Sequence, residues 1–168
     1  MPEKKTVYKW FWVWEFEKEE RWLNAMAMNG WILDSVGFCR YTFVKGEPGA
    51  YNIRLEMRAP DEEYISFMGE TGAEYIGRVV AWIYFRRRTE DGPFDLFSDI
   101  DSRITHLNRI DKMLFLIGTA NLIIGALNAF NGSAIGVVNL VLATLLMYGL
   151  GRIRGKKEEM EKERQLRE

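Results

Sequence analysis

The chain has 168 residues, of which 24 are acidic and 23 basic, and its net charge at pH 7 is −1. This balance excludes a protein held on nucleic acid mainly by phosphate contacts, because such a protein needs a basic surface. The single cysteine, Cys39, excludes a framework of disulfides within the chain.

The first predicted element is a strand over residues 7–14, "VYKWFWVW". Both of its faces are apolar, and one carries four rings: Tyr8, Trp10, Trp12 and Trp14. A strand that is apolar on both faces is typical of the centre of a sheet. An amphipathic helix is predicted over residues 17–29, with Gly30 ending it.

Two more strands, a helix and a last strand follow. Residues 39–58 alternate apolar and polar side chains around a turn at 46–49, which predicts a β-hairpin. An acidic first turn from Asp61 begins the second helix, since negative charge is favourable at a helix N-terminus. Residues 78–88, "RVVAWIYFRRR", predict the last strand. The predicted order is βαββαβ.

The two helical segments resemble each other. Four residues of the first have the same spacings as four of the second: Trp22, Leu23, Met26 and Gly30, against Tyr64, Ile65, Met68 and Gly72. A duplicated βαβ unit predicts an α+β fold over residues 1–90, a ferredoxin-like sandwich with two helices on one face of a four-stranded sheet. The other sheet face would be open.

This open face is the predicted binding surface. The first and third strands are central neighbours in such a fold, so aromatic rings of one would lie beside guanidinium groups of the other, a pattern typical of recognition. The expected binding residues are Trp10, Trp12, Trp14, Arg54 and Arg58. Alternatively, residues 93–110 or a second copy of the chain cover the face. Direct nucleic-acid binding is not expected, because residues 1–110 carry a net charge of −3.

The C-terminal part predicts a membrane anchor. Residues 91–111 predict an amphipathic linker helix, and residues 113–151 contain no Asp, Glu, Lys, Arg or His. Asn131-Gly132 divides residues 112–151 into two segments of about 18 residues, close to the length of ~17 needed to cross the hydrocarbon layer. A transmembrane helical hairpin is predicted, followed by a charged, solvated helical tail over residues 152–168.

Small and amide side chains form one stripe on each predicted membrane helix. Such residues hold helices together in lipid, and the stripes are Gly118, Asn121, Gly125 and Asn128 on the first helix and Gly136, Asn139 and Ala143 on the second. Asn121 and Asn139 are expected near each other. The alternative, a soluble hairpin buried in an oligomer, would still need charges on its outer surface.

Basic residues flank both ends of the apolar segment and are missing from its tip, which predicts that both termini are cytoplasmic. Catalytic and metal-binding motifs are missing from the sequence, so neither an enzyme nor a cofactor is expected. The single histidine, His106, is expected to be solvated on the linker helix.

Three segments resemble the bacterial family known as domain of unknown function 2812 (DUF2812). They are "YKWFWVWEFEKEERWLNAMAMNGWILDSVG", "AEYIGRVVAWIYFRR" and "FDLFSDIDSRITHLNRI", spread over residues 8–110. Gly72-Ala73-Glu74 departs from the Gly-Trp-Glu that the family tends to show. The resemblance implies a cytoplasmic module at the bacterial cytoplasmic membrane, often encoded beside PadR-like transcriptional regulators. It implies no catalytic residue.

The sequence therefore predicts a membrane-anchored regulatory or sensory module. Its cytoplasmic domain would recognise a protein partner, such as a PadR-like regulator, or a small ligand. The alternative is an oligomeric structural or transport-associated membrane protein that assembles through its hairpin.

Overall fold

The structure, a computed structural model, describes residues 3–59 and 61–167. The chain divides into two compact units at residues 98 and 99. We call the first unit the head and the second the helical hairpin, and each is described by itself.

The described residues of the head form six strands and two α-helices. Their order is β1 (Lys4–Tyr8), α1 (Phe16–Met28), β2 (Trp31–Gly37), β3 (Arg40–Lys45), β4 (Tyr51–Met57), α2 (Glu62–Glu70), β5 (Glu74–Val79) and β6 (Trp82–Arg88). The strands form two antiparallel sheets, β1-β3-β2 and β4-β6-β5. The predicted α+β class is confirmed, but the strands build two three-stranded sheets instead of one four-stranded sheet.

The two sheets are copies of one βαββ unit. Strand order is the same in both, and each has a register shift in its second strand, at Leu33/Ser35 and at Tyr75/Gly77. These shifts lie 42 residues apart, the same offset that relates the helical segments in the sequence. The duplication is therefore real, and its unit is longer by one strand than the predicted βαβ.

The first strand ends earlier than predicted. β1 stops at Tyr8, and a 3-10 turn occupies Val13–Glu15. The Glu15 N–H donates to the Trp12 carbonyl at 2.7 Å, and the Glu15 carboxylate accepts from the Trp12 N–H at 3.4 Å. This local bonding takes the tryptophan segment out of any strand.

The predicted hairpin over residues 39–58 is wrong. β3 is the central strand of its sheet, so both its edges are already paired and β4 cannot join it. The connection after β3 bonds instead to the end of α1: the Gly46 N–H donates to Gly30 O and the Gly49 N–H to Ala27 O, both at 3.0 Å. This directs the chain into the second sheet.

Each sheet carries an apolar core. Leu23 and Phe43 are fully buried in the first repeat, and the second repeat buries Met68, Ile83 and Phe85 together. Asp61 caps α2 by accepting from the N–H groups of its first turn, as the acidic first turn predicted.

The helical hairpin consists of α3 (Ile100–Phe130) and α4 (Ala134–Arg167). α3 includes residues 100–111 of the predicted linker and continues without a break through the first apolar segment. α4 continues through the charged tail without a break, most of the tail's side chains are exposed, and Arg164 pairs with Asp101 at 2.9 Å. A second ion pair between the two helices joins Arg154 to Asp111 at 2.7 Å. His106 is 2% exposed, so the expectation of a solvated histidine is wrong.

Candidate functional site

Four aromatic rings form a ladder from the surface into the head. Successive ring centroids are 5.8 Å apart for Phe38 and Trp10, 5.3 Å for Trp10 and Trp12, and 5.0 Å for Trp12 and Trp14. Exposure falls from 71% at Phe38 and 53% at Trp10 to 5% at Trp14. Trp14 is therefore the buried end of the ladder, and Phe38 and Trp10 are its exposed end.

The exposed end brings together two separate parts of the chain. Trp10 follows β1, and Phe38 lies in the tight turn between β2 and β3. The Lys9 N–H donates to the Cys39 carbonyl at 3.0 Å and fixes the two parts together. Cys39 itself has φ +53°, a left-handed conformation that the two-residue turn requires. We call Trp10, Trp12 and Phe38 the aromatic patch.

The prediction that Arg54 and Arg58 lie beside the tryptophans required the first and third predicted strands to be neighbours, and β1 and β4 are not neighbours. Both arginines flank or lie on β4, whereas β1 pairs with β3 in the other sheet. Arg54 pairs with Glu20 at 3.3 Å, and Arg58 lies over the Tyr64 ring at 3.8 Å. Of the five predicted residues, Trp10 and Trp12 belong to the aromatic patch, Trp14 is buried, and each arginine has a partner of its own.

A buried carboxylate that was not among the predicted site residues joins the two repeats. Glu19 on α1 is 8% exposed, and its Oε1 accepts from Tyr41 of β3 at 2.8 Å and from Tyr84 of β6 at 2.6 Å. Burial raises the pKa of Glu19 and outweighs the two hydroxyl hydrogen bonds, which lower it. Burial and the neighbouring carboxylate raise the pKa of both tyrosines far above their usual value, so both stay neutral donors.

α1 also binds the edge of the second sheet. The Asn24 side chain donates to Ile53 O and accepts from Ile53 N–H, each at 2.9 Å, in the manner of a neighbouring strand. Glu20 Oε2 accepts from the Leu55 N–H at 3.4 Å. Burial raises the pKa of Glu20, while Arg54 opposes this shift. Polar side chains of one helix thus hold both repeats together.

The stripe predicted on the membrane helices packs inside the hairpin. Gly118, Gly125, Gly136 and Ala143 are buried, and a Cβ on Gly136 would lie 2.5 Å from Ala129 N. The three asparagines of the stripes, Asn121, Asn128 and Asn139, are partly buried. Asn121 donates to its own helix at Ile117 O, 2.9 Å away, so the expected amide contact across the helices is not what binds it.

The described residues contain no group of three or more potential metal ligands from His, Cys, Asp or Glu. Two helices, Ile100–Phe130 and Ala134–Leu166, are long and apolar enough to span a membrane. The molecule is thus an α+β domain of two repeats that carries an apolar helical hairpin.

The chain belongs to the family described as protein of unknown function (DUF2812), whose model matches residues 15–119. That match covers both repeats from α1 onward and the first 20 residues of α3. No curated protein and no solved structure is detectably similar to the chain.

Proposed function

We propose that this protein is a membrane-anchored regulatory module whose head captures a protein partner through the aromatic patch. The hairpin would sit in the bacterial cytoplasmic membrane and keep the head on the cytoplasmic side. Binding and not catalysis would be its role, and neither a cofactor nor direct nucleic-acid contact is part of the proposal.

The exposure of the hairpin supports the anchor. Only 17% and 22% of the most apolar 18-residue windows of α3 and α4 are buried, whereas the core helix of a soluble protein is mostly buried. Eighteen residues of helix span about 27 Å, close to the ~30 Å of a bilayer's hydrocarbon core. Large side chains on the outside of both helices, such as Leu116, Leu127 and Val138, are more than half exposed.

The charges at the base of the hairpin support the orientation. Lys112, Arg152 and Arg154 lie at the end away from the 131–133 turn, and the turn itself carries no charge. The excess of basic residues on cytoplasmic loops then favours both termini in the cytoplasm. Arg154 also lies over the Phe115 ring at 5.8 Å, a contact typical of a side chain at a membrane boundary.

The aromatic patch carries the proposed binding role. Tryptophan and other aromatic residues dominate the binding energy of protein interfaces, and here two rings that are more than half exposed pack in line with Trp12 and the buried Trp14. The ladder holds the rings in place, so little side-chain entropy would be lost on binding. A PadR-like regulator is the partner that the family resemblance suggests.

The hairpin offers less support for the alternative, a structural or transport-associated oligomer. That reading needs the glycine and asparagine stripes to join copies of the chain. Gly118, Gly125 and Gly136 already lie against the opposite helix of the same hairpin, so their surfaces are occupied.

A quantitative capture experiment tests the proposal. The full chain would be crosslinked in native membranes, and the amount of PadR-like regulator recovered would be measured by mass spectrometry. Loss of a tryptophan anchor worth about 2 kcal/mol lowers affinity about 30-fold, so the double variant Trp10→Ala/Phe38→Ala should lose most of the captured regulator. Phe67→Ala, which removes a ring that is 58% exposed on α2, is the matched control and should capture normally.

Flotation with liposomes tests the anchor independently. All of these variants should float with the lipid, because none changes the hairpin. A chain that stays in the bottom fraction would refute the anchor, and equal capture by the double variant and the wild type would refute the patch as the binding site.

A further inference from the structure

The two repeats differ at their outer sheet edges. β1 and β4 occupy the same edge position in their sheets. The 42-residue offset relates β3 to β6. The β3 residues that face Lys4, Thr6 and Tyr8 of β1 correspond to the β6 residues that face Ile53, Leu55 and Met57 of β4. The duplicated fold therefore contains its own comparison for the edge of β1.

The edge of β4 is satisfied by α1. The Ala50 carbonyl accepts from Thr89, and the Arg58 N–H donates to Ala81, so residues of even number in β4 bond to β6. The backbone groups of Ile53 and Leu55 face away from β6, toward Asn24 and Glu20. An edge strand with this orientation needs such partners or water.

The edge of β1 has no such partners among the residues that the structure describes. Glu3 O accepts from Lys45 N–H, and Lys9 N–H donates to Cys39 O, so Glu3, Lys5, Val7 and Lys9 bond to β3. The backbone groups of Lys4, Thr6 and Tyr8 therefore face outward. Within residues 3–59 and 61–167, no hydrogen bond is made to these outward groups, and all three residues are exposed.

We infer that the edge of β1 pairs with the β1 edge of a second copy of this chain, antiparallel and with Thr6 on the two-fold axis. In this register Thr6 faces Thr6, and Lys4 faces Tyr8 of the other copy on both sides of the axis. Three facing pairs give about six backbone hydrogen bonds. The two sheets become one sheet of six strands across the dimer.

The side chains of β1 fit this self-pairing. Threonine pairs and lysine beside an aromatic ring are both favourable across strands. Lys5 faces Val7 of the other copy, so no lysine directly opposes a lysine. Lysines at an edge usually prevent pairing, but Lys4 is already paired with Asp34 at 3.1 Å, and Lys5 lies over the Trp31 ring at 5.2 Å.

Cysteine crosslinking tests the register in the full chain. Cys39 is the only cysteine, and Cys39→Asn removes it with a residue that tolerates its left-handed conformation. In that background, Thr6→Cys places two thiols on residues with Cα atoms about 5.5 Å apart, within disulfide range. Tyr8→Cys is the matched control, because its copies would be about 14 Å apart. We expect at least fivefold more disulfide dimer from Thr6→Cys.

The mass of the detergent-solubilised chain tests the contact itself. Thr6→Pro removes an outward N–H and leaves the β1–β3 ladder intact, so it should weaken the dimer at least tenfold. Asn139→Leu should leave the dimer unchanged. A nitroxide on native Cys39 gives a second readout without any change in β1, since a dimer shows a dipolar distance between copies and a monomer does not.

Three results would overturn the inference. The first is a monomeric wild-type chain with no dipolar signal between copies. The second is crosslinking from Tyr8→Cys that equals that from Thr6→Cys. The third is a dimer that survives Thr6→Pro and dissociates with Asn139→Leu, which would place assembly in the hairpin.

Discussion

Replacing Gly136 by alanine should open the helical hairpin. Gly136 is buried near the start of α4, where the two helices approach closely. An added Cβ would lie 2.5 Å from Ala129 N, 2.8 Å from Gly125 O and 2.9 Å from Ala129 Cα. All three are backbone atoms, so a side-chain rotation cannot relieve the overlap.

The size of the effect follows from these distances. An ordinary contact of this kind is about 3.4 Å, so α4 must move away from α3 by about 0.9 Å at this point. Overpacking of this kind costs about 1–3 kcal/mol. Alanine also favours a helix over glycine by ~1 kcal/mol, so the net destabilisation should be about 0–2 kcal/mol, and about 1–3 kcal/mol relative to an alanine that meets no such overlap.

Gly151→Ala is the matched control. It is the same chemical change in the same helix, but nothing lies within 4 Å of the added Cβ, so it should be neutral or slightly stabilising. All six tryptophans lie in residues 10–82, so tryptophan fluorescence follows the head while far-UV circular dichroism also follows the hairpin. In titrations of micelles with a denaturing detergent, Gly136→Ala should lower only the hairpin midpoint. Equal midpoints for Gly136→Ala and Gly151→Ala would refute this account of the packing.

Two further predictions concern the head. Burial raises the pKa of Glu19, so the contribution of this residue to stability is complete below its unfolded pKa near 4.5 and is lost as the pH rises through its folded pKa. Glu19→Gln should remove this part of the loss of stability in urea titrations at several pH values. An unchanged pH profile would contradict the prediction. Asn24→Ala should lower the free energy of unfolding by about 2–4 kcal/mol, because it leaves the N–H and C=O of Ile53 without their partner, and a loss below ~0.5 kcal/mol in the same titrations would contradict it.

Periodicity and turn signals were enough to predict the helices and the repeat. The inward stripe of α1 and the Asn131-Gly132 turn are local features, and the structure agrees with both. The tryptophan segment leads into a 3-10 turn in which the Glu15 carboxylate accepts from the Trp12 N–H, and no alternation pattern contains that information. A strand pattern and a short extended segment of bulky rings look the same in sequence.

The candidate site was predictable only in part. Trp10 and Trp12 were identified from their ring chemistry, but Phe38 joins them through a turn whose position depended on the strand register. Glu19 carried a signal that could have been used, since it lies three residues after Phe16 and four before Leu23 on the inner stripe of α1. A charged residue on such a stripe indicates buried partners, and the two tyrosines that supply them come from different sheets.

The ion pairs at the base of the hairpin set a mechanical property of the anchor. Arg164 reaches Asp101 twelve residues before the apolar segment begins at Met113, a rise of about 18 Å along α3. If the apolar part lies in lipid as proposed, two helices leave the bilayer surface side by side, held together by these ion pairs. A single flexible linker would lack such pairs. Such a stem resists bending and acts as a spacer of fixed length above the bilayer.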